Sequence, residues 1–385
     1  MPLAFLTPWQ IVAQTAAQFL PVWIAMVVII GTSALFGYRL GTYGRIFDSG
    51  IGILGFALVL FWLLTAILAP DIALFDPYTQ LRALQNKPPG AIDAVTGLPY
   101  LFGGDALGRD VFSRMVYGSR TVMAIAPLAT LFAYMVGITL GLPAGYFGGW
   151  LDTLLSFLAN LVLAFPVILL FYLLVTPEIR ETAIPGTMAA VLFFFPVLFV
   201  TLVFWSRFRE RPEVLWYYLG PTLAIGGFAY LGLTGLWDPS GWLTMAPNTL
   251  NIFLAVVFIT APTVFRIVRG LTLDIKTRDY VAAAQTRGER PWYIMLWEIL
   301  PNARGPLIVD FCLRIGYTTI LLGTLGFFGL GVSPESPDWG STINEGRKLL
   351  RIYIHPALPP ALALMSLVLG LNLLADALRE QTMRD

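Results

Sequence analysis

Nine stretches of this chain, each close to twenty residues and almost free of charge, limit what it can fold into more than any other feature. They fall at about 17–37, 50–69, 121–145, 151–175, 186–206, 214–236, 249–268, 306–331 and 356–378. An α-helix crossing the ~30 Å hydrocarbon core needs about 20 apolar residues, and in lipid every backbone polar group must be satisfied internally. The chain is therefore read as an all-α polytopic membrane protein with about nine transmembrane helices. Charge agrees: 12% of the 385 residues are Asp, Glu, Lys or Arg, half the roughly 25% of soluble domains.

Lys and Arg in the short loops set the expected orientation. Arg207, Arg209 and Arg211 follow the fifth stretch, and Arg266, Arg269, Lys276, Arg278, Arg287, Arg290 and Arg304 lie between the seventh and eighth. Both loops are expected on the cytoplasmic side, and counting back puts Arg39 and Arg45 there too. The loop at about 237–248 has neither Lys nor Arg and falls outside. The N-terminus is then outside and the C-terminus inside. The hydrophilic stretch at about 70–120 is an external segment, too short for an independent enzyme domain.

Several functions are excluded. A net charge of +1 leaves no nucleic-acid footprint. One Cys and one His, Cys312 and His355, rule out a disulfide framework and make a His/Cys metal cluster implausible. Cys312 is expected to be a packed, inert thiol and His355 a plain loop residue. The N-terminus lacks the basic start of a cleavable signal peptide. The lysines are Lys87, Lys276 and Lys348; Lys276-Thr277 comes nearest to a phosphate-binding loop, but Ile275 stands where Gly is required. ATP and Mg, if used, belong to a partner.

The polar segment 266–305 carries the sharpest local signals. Tyr280, Ala283, Ala284 and Arg287 recur at i, i+3, i+4 and i+7, one face of a short helix beginning at Asp279-Tyr280-Val281-Ala282. Gly288 supplies a left-handed residue to end it, and Pro291 opens the next helix at its first turn. Alanines remove side-chain bulk, so another protein's groove could approach the backbone. Leu300-Pro301 follow.

Other clusters have local readings. In Gly103-Gly104-Asp105-Ala106-Leu107-Gly108-Arg109-Asp110, Asp105 is expected to cap a helix start and Asp110 to pair with Arg114 at i, i+4. Gly145 to Asp152 reads as a tight turn between spans. Phe327 to Gly331, then Pro334, Pro337 and Trp339-Gly340, form a Gly/Pro-rich outer loop that leads into the external segment 332–355. Asp310 and Arg314, four apart, suit an ion pair partly within the membrane. Asn372 and Asp376 lie in the last span, Asp376 being either a buried anchor or an interfacial carboxylate, with Arg379 snorkelling to the surface. Phe193-Phe194-Phe195 reads as lipid-facing surface or helix packing.

Five of these clusters, in order, resemble the permeases of binding-protein-dependent ABC importers, in particular the C-type subunit of the dipeptide, oligopeptide and nickel family. Ala282-Ala283-Ala284, Gly288 and Ile299-Leu300-Pro301 are similar to its EAA loop, with Ala282 in place of Glu and Asp279 the acid three residues earlier. Asp105, Gly108, Arg109, Asp110, Ser113 and Arg114 match its G-T-D-x-x-G-R-D-x-x-S-R stretch, with Gly104 for Thr. The 145–152 turn with Ala164-Phe165-Pro166, the 327–340 loop and the Asn372 to Glu380 end complete the set. The resemblance covers about 50–175 and 249–385.

It implies a type I ABC importer fold: a six-helix core at 50–175 and 249–385, plus one N-terminal helix in 1–49 and an inserted pair in 176–248. The extra helices are expected at the periphery of the bundle. It implies a partner permease, two cytoplasmic ATPases and an external solute-binding protein. It also gives Asp279, Tyr280, Ala282, Ala283, Ala284, Arg287, Gly288, Leu300 and Pro301 a coupling role, and Asp105, Gly108, Arg109, Asp110, Pro337, Trp339 and Gly340 an external docking or gating role. The cargo class it implies is peptides, with nickel chelates, glutathione or sugars as alternatives. A secondary transporter or channel is the rival class.

Overall fold

A computed structural model describes residues 4–36, 41–239, 241, 243–331 and 335–382; Arg39, Pro334 and the side chain of Arg45 lie outside what is described. The chain forms two compact units, residues 1–127 with 312–385, and residues 128–311. Seven helices among the described residues are long and apolar enough to cross a membrane, and two bent pairs bring the number to nine. These nine correspond to the nine apolar stretches.

The first unit contains α1 (Pro8–Gln18) and α2 (Leu20–Phe36), bent by 53° at Phe19, then α3 (Gly50–Ile67) and the start of α4 (Val111–Phe147). It ends with α12 (Trp339–Arg347) and α13 (Leu358–Thr382). Small residues let α3 and α13 approach: a Cβ on Gly55 would lie 2.6 Å from the Leu374 nitrogen, and one on Gly370 would meet Leu58. Between α3 and α4 the chain folds into a cap containing the antiparallel strands β1 (Ala91–Ile92) and β2 (Pro99–Tyr100). Phe19, Trp62, Phe112, Trp339 and Leu367 share one core.

In the second unit α4 continues to Phe147 and packs on α9 (Pro247–Ile275) through Gly137, Gly141 and Gly145, one per turn. A Cβ at these positions would come within 2.6–2.9 Å of Val264, Val268 and Thr272. Gly145 is thus a packing residue within the helix. The turn comes at Gly148 and Gly149, with φ of 66° and 63°. Next are α5 (Gly149–Leu163) and α6 (Val167–Val175), one stretch in the sequence but bent by 83° at Ala164-Phe165-Pro166.

The inserted pair is α7 (Ile184–Phe208) and α8 (Pro212–Leu233). Their windows are 17% and 6% buried against 72% for α9, so α9 is the centre of this unit and the pair is mostly exposed. Phe193 nevertheless packs on Phe132 and Phe253 at 5.6 and 5.9 Å, while Phe194 is exposed.

The 266–305 segment is far more helical than a loop. After α9 come α10 (Asp279–Thr286) and α11 (Pro291–Phe327). Residues Ile294–Ile299 of α11 form a π-turn. Pro301 has no N–H to continue the ladder there, a cause of the wider turn.

Candidate functional site

Helix α10 is built to stay in place. Gly288 takes φ 79°. The Gly288 N–H donates to the Gln285 carbonyl at 2.9 Å and the Glu289 N–H to the Ala284 carbonyl at 3.1 Å. This pair of bonds is a Schellman end, and it satisfies carbonyls that the helix leaves open. Arg287 donates to Glu298 on α11 at 3.0 Å, and Gln285 Nε2 donates to the Tyr146 hydroxyl at 3.2 Å. Before α10, Lys276 Nζ donates to the Gly145 carbonyl at 2.8 Å. Asp152 accepts from both Nε and Nη2 of Arg269, the second at 2.6 Å, joining α5 to α9.

The exposed face differs from the expected one. Val281 and Ala284 are fully buried, packing with Ile275, Ile294, Met295 and Ile299. Asp279, Tyr280, Ala282, Ala283 and Arg287 are exposed. Ala284 therefore anchors the helix to its own chain, and the small-residue surface offered outward is Ala282-Ala283. Pro301 is exposed and Leu300 half-buried; both lie within α11 and line an apolar groove of about 440 Å³ with Leu131, Phe199 and Phe311.

The second cluster lies in the first unit. Asp105 does not cap α4. Its carboxylate accepts from the Leu107 and Arg109 N–H groups at 2.9 Å each and from Arg109 Nε at 2.7 Å. Asp110 is the residue that caps the helix, accepting from the Ser113 N–H at 2.9 Å and its hydroxyl at 2.6 Å. Arg114 is not its salt-bridge partner. The Arg114 guanidinium is fully buried and donates to the carbonyls of Ser336, Glu335 and Pro77 at 2.9, 3.3 and 3.4 Å. Its Nη2 is 3.7 Å from Glu345, which also accepts from Arg109.

Trp339 completes the cluster, fully buried, its indole N–H donating to the Met115 carbonyl at 2.8 Å. Gly340 has no room for a side chain: a Cβ would lie 2.2 Å from the Gly323 carbonyl. The same holds for Gly104 and Gly108, whose Cβ atoms would meet the Leu84 and Leu81 carbonyls at 2.0 and 2.2 Å. His355 is more than a loop residue; it is half-buried, with Nε2 3.1 Å from the Gly104 carbonyl. Asp105, Gly108, Arg109, Asp110, Pro337, Trp339 and Gly340 are all brought together and all buried. They hold the 75–114 and 335–357 segments as one body and cannot themselves form a docking face.

Burial pushes the Asp110 carboxyl up to about 6, against hydrogen bonds from Ser113 that favour its ionised form. Among the described residues its Oδ1 has no hydrogen-bond partner. A carboxyl raised from 3.8 to about 6 adds stability while protonated, and that contribution fades as pH rises from about 4 to 6. The shift corresponds to about 3 kcal/mol. Melting curves of the wild type and Asp110→Asn in nanodiscs should therefore diverge across this window, the variant gaining relative to wild type as pH rises. Parallel curves would rule out an Asp110 that titrates there.

Of the intramembrane polar residues, Asp310 accepts from the Tyr134 hydroxyl, which is 3.2 Å from the Leu307 carbonyl. Arg314 is half-buried on α11. Asn372 and Asp376 are exposed, one turn apart on α13, so Asp376 is not an anchor buried within this chain. Cys312 is half-buried.

Sequence reasoning missed Val281, Tyr146, Arg269 and the Asp152 bond to it. An acid at the edge of an apolar run calls for a cation, and Arg269 in the next basic segment was the available signal.

The family described as binding-protein-dependent transport system inner membrane component matches residues 137–382. The chain belongs to that family. It is 32% identical over 278 residues to the glutathione transport system permease protein GsiD of Pectobacterium atrosepticum, covering 72% of this chain and 70% of that protein. Over 329 residues it is 30% identical to the dipeptide transport system permease protein DppC of Haemophilus influenzae, covering 85% and 88%. The DppC protein of Alkalihalophilus pseudofirmus is 27% identical over 330 residues, covering 86% and 84%. The family match takes in α9 to α11 and the whole of α13, so both the held helix and the polar end of α13 lie in family territory. As an inner membrane component of an ABC transport system, the chain is the membrane-spanning permease rather than the enzyme of its assembly.

Proposed function

We propose that this permease imports peptides and that α10 receives the mechanical work of ATP hydrolysis. The observation that carries the reading is the exposed Tyr280, Ala282 and Ala283 surface on a helix fixed at both ends. A push on such a helix is passed on as a rigid-body movement of α9 and α11. Two cytoplasmic ATPases supply it, holding ATP and Mg, and Asp279 on the exposed side offers them an acid. The N-terminus is outside and the C-terminus inside, which places α10 in the cytoplasm. A second permease subunit covers Asn372 and Asp376, because polar side chains facing lipid are costly. A solute-binding protein delivers cargo to the outer segments around the buried Asp105–Glu345 network. The peptide class follows from relatives that carry dipeptide and glutathione in their names.

Isolation from native membranes should yield this chain with two ATPases and a second permease; a chain that transports peptide alone would refute the assembly. Gly288→Val tests the coupling helix. No atom would lie within 4 Å of the new Cβ, so the variant acts only through φ 79°, a strain of about 1–2 kcal/mol. ATP hydrolysis should continue while uptake falls several-fold. Unchanged uptake would count against this helix end as a mechanical part.

A further inference from the structure

We propose that the inserted pair α7–α8 builds a binding site for a phosphate-bearing anion beside α10, occupied in the membrane by the headgroup of an anionic phospholipid. A cavity of about 590 Å³ is lined by residues 205–211, where α7 turns into α8, and by residues 288–293, from the turn after α10 into the start of α11. Four arginines line it, Arg207, Arg209, Arg211 and Arg290, against two acids, Glu210 and Glu289. Among the described residues, none of these four guanidiniums is within salt-bridge distance of a carboxylate. Glu289 leans instead toward Arg287, at 4.0 Å.

Two of the arginines are held by aromatic faces. Arg207 lies 4.7 Å from the ring of Trp297 and donates to the Tyr293 hydroxyl at 3.2 Å; Arg209 lies 4.7 Å from the ring of Trp205. A stacked guanidinium keeps its N–H fork free at the edge, the geometry that suits a phosphate. Trp297 is itself fixed, its indole N–H donating to the Ser206 hydroxyl at 3.1 Å. The turn sits at headgroup depth: it ends the apolar α7, and Trp216 and Tyr217 at the start of α8 are 62% and 74% exposed, as aromatics at a membrane–water boundary are. Four like charges around one cavity repel each other, and an anion with several acceptor oxygens relieves that repulsion while taking bonds from more than one of them. A lipid phosphate is always present at that depth, and its acyl chains can lie along the exposed apolar surface of α7 and α8.

The test uses the assembled transporter purified from its native membrane, placed in phosphatidylcholine nanodiscs with or without phosphatidylglycerol. Native mass spectrometry counts the phosphatidylglycerol retained. Arg209→Gln with Arg290→Gln is the test variant, and its melting temperature in phosphatidylcholine alone controls for folding. The wild type should retain phosphatidylglycerol, and each lost guanidinium should weaken retention by about tenfold. A parallel titration with inorganic phosphate separates the sources: arginine-dependent binding of phosphate, without arginine-dependent lipid retention, assigns the same site to a soluble phosphate compound. Equal binding of both probes by wild type and a folded variant would overturn the proposal. Because binding is read directly, the result stands apart from whether α10 couples to an ATPase.

Discussion

Arg114→Met should destabilise the unit formed by residues 1–127 and 312–385 by about 3–5 kcal/mol, the range for breaking a buried ion network by removing one partner. Met fills a comparable volume, so the loss isolates the guanidinium. Without it the Ser336 carbonyl loses a 2.9 Å bond, and the carbonyls of Glu335 and Pro77 lose weaker ones. Asp105 and Glu345 then share Arg109 alone. The comparison is Arg278→Met, which removes an i, i+4 pair with Asp274 at 3.2 Å whose side chains are 59% and 66% exposed. Solvent screens that pair, and its loss should be worth about 0.5 kcal/mol or less. Thermal unfolding of both variants in nanodiscs checks the contrast. Similar melting temperatures for the two would mean the buried network is not what joins the 75–114 segment to the 335–357 segment.

That network also shows where reading the chain stops. The apolar stretches were legible because a bilayer imposes length and composition on every span. Arg109 and Glu345, by contrast, are 236 residues apart. Nothing local distinguishes Asp110 beside Arg114 as a surface pair from Asp110 as a helix cap and Arg114 as a buried clamp. The bend in α5–α6 was hidden for a related reason: the two helices form one apolar stretch, and only a Pro at 166 hints at the break. Gly145 looked like a turn residue because glycine serves turns and close helix packing alike, and only Thr272 on α9 decides between them. On α10 the ambiguity is alanine itself. Small and nearly indifferent to water, it does not declare which face is buried, whereas Val281 does, and Val281 places Ala284 with it on the inner side.

That assignment separates two neighbouring alanines, and the second large effect is expected there. Ala283→Trp puts a bulky ring on the exposed surface of α10, where its own chain has nothing to displace. The variant should reach the membrane in normal amounts. If the ATPase groove fits a small-residue face, however, the indole holds the two surfaces apart, and loss of even 1.4 kcal/mol of docking lowers the affinity about tenfold. ATP-dependent uptake should fall by at least that factor, and the ATPases should no longer co-purify. Ala284→Trp makes the opposite division. Ala284 is fully buried among Ile275, Ile294 and Ile299, and overpacking of that order costs typically 1–3 kcal/mol or more. The protein should therefore accumulate poorly, and the loss of uptake should track its amount in the membrane. Quantifying permease, ATPase and uptake from the same membranes distinguishes the two cases. Normal uptake and normal co-purification in Ala283→Trp would remove the exposed alanine face from the coupling path, however well the helix is held.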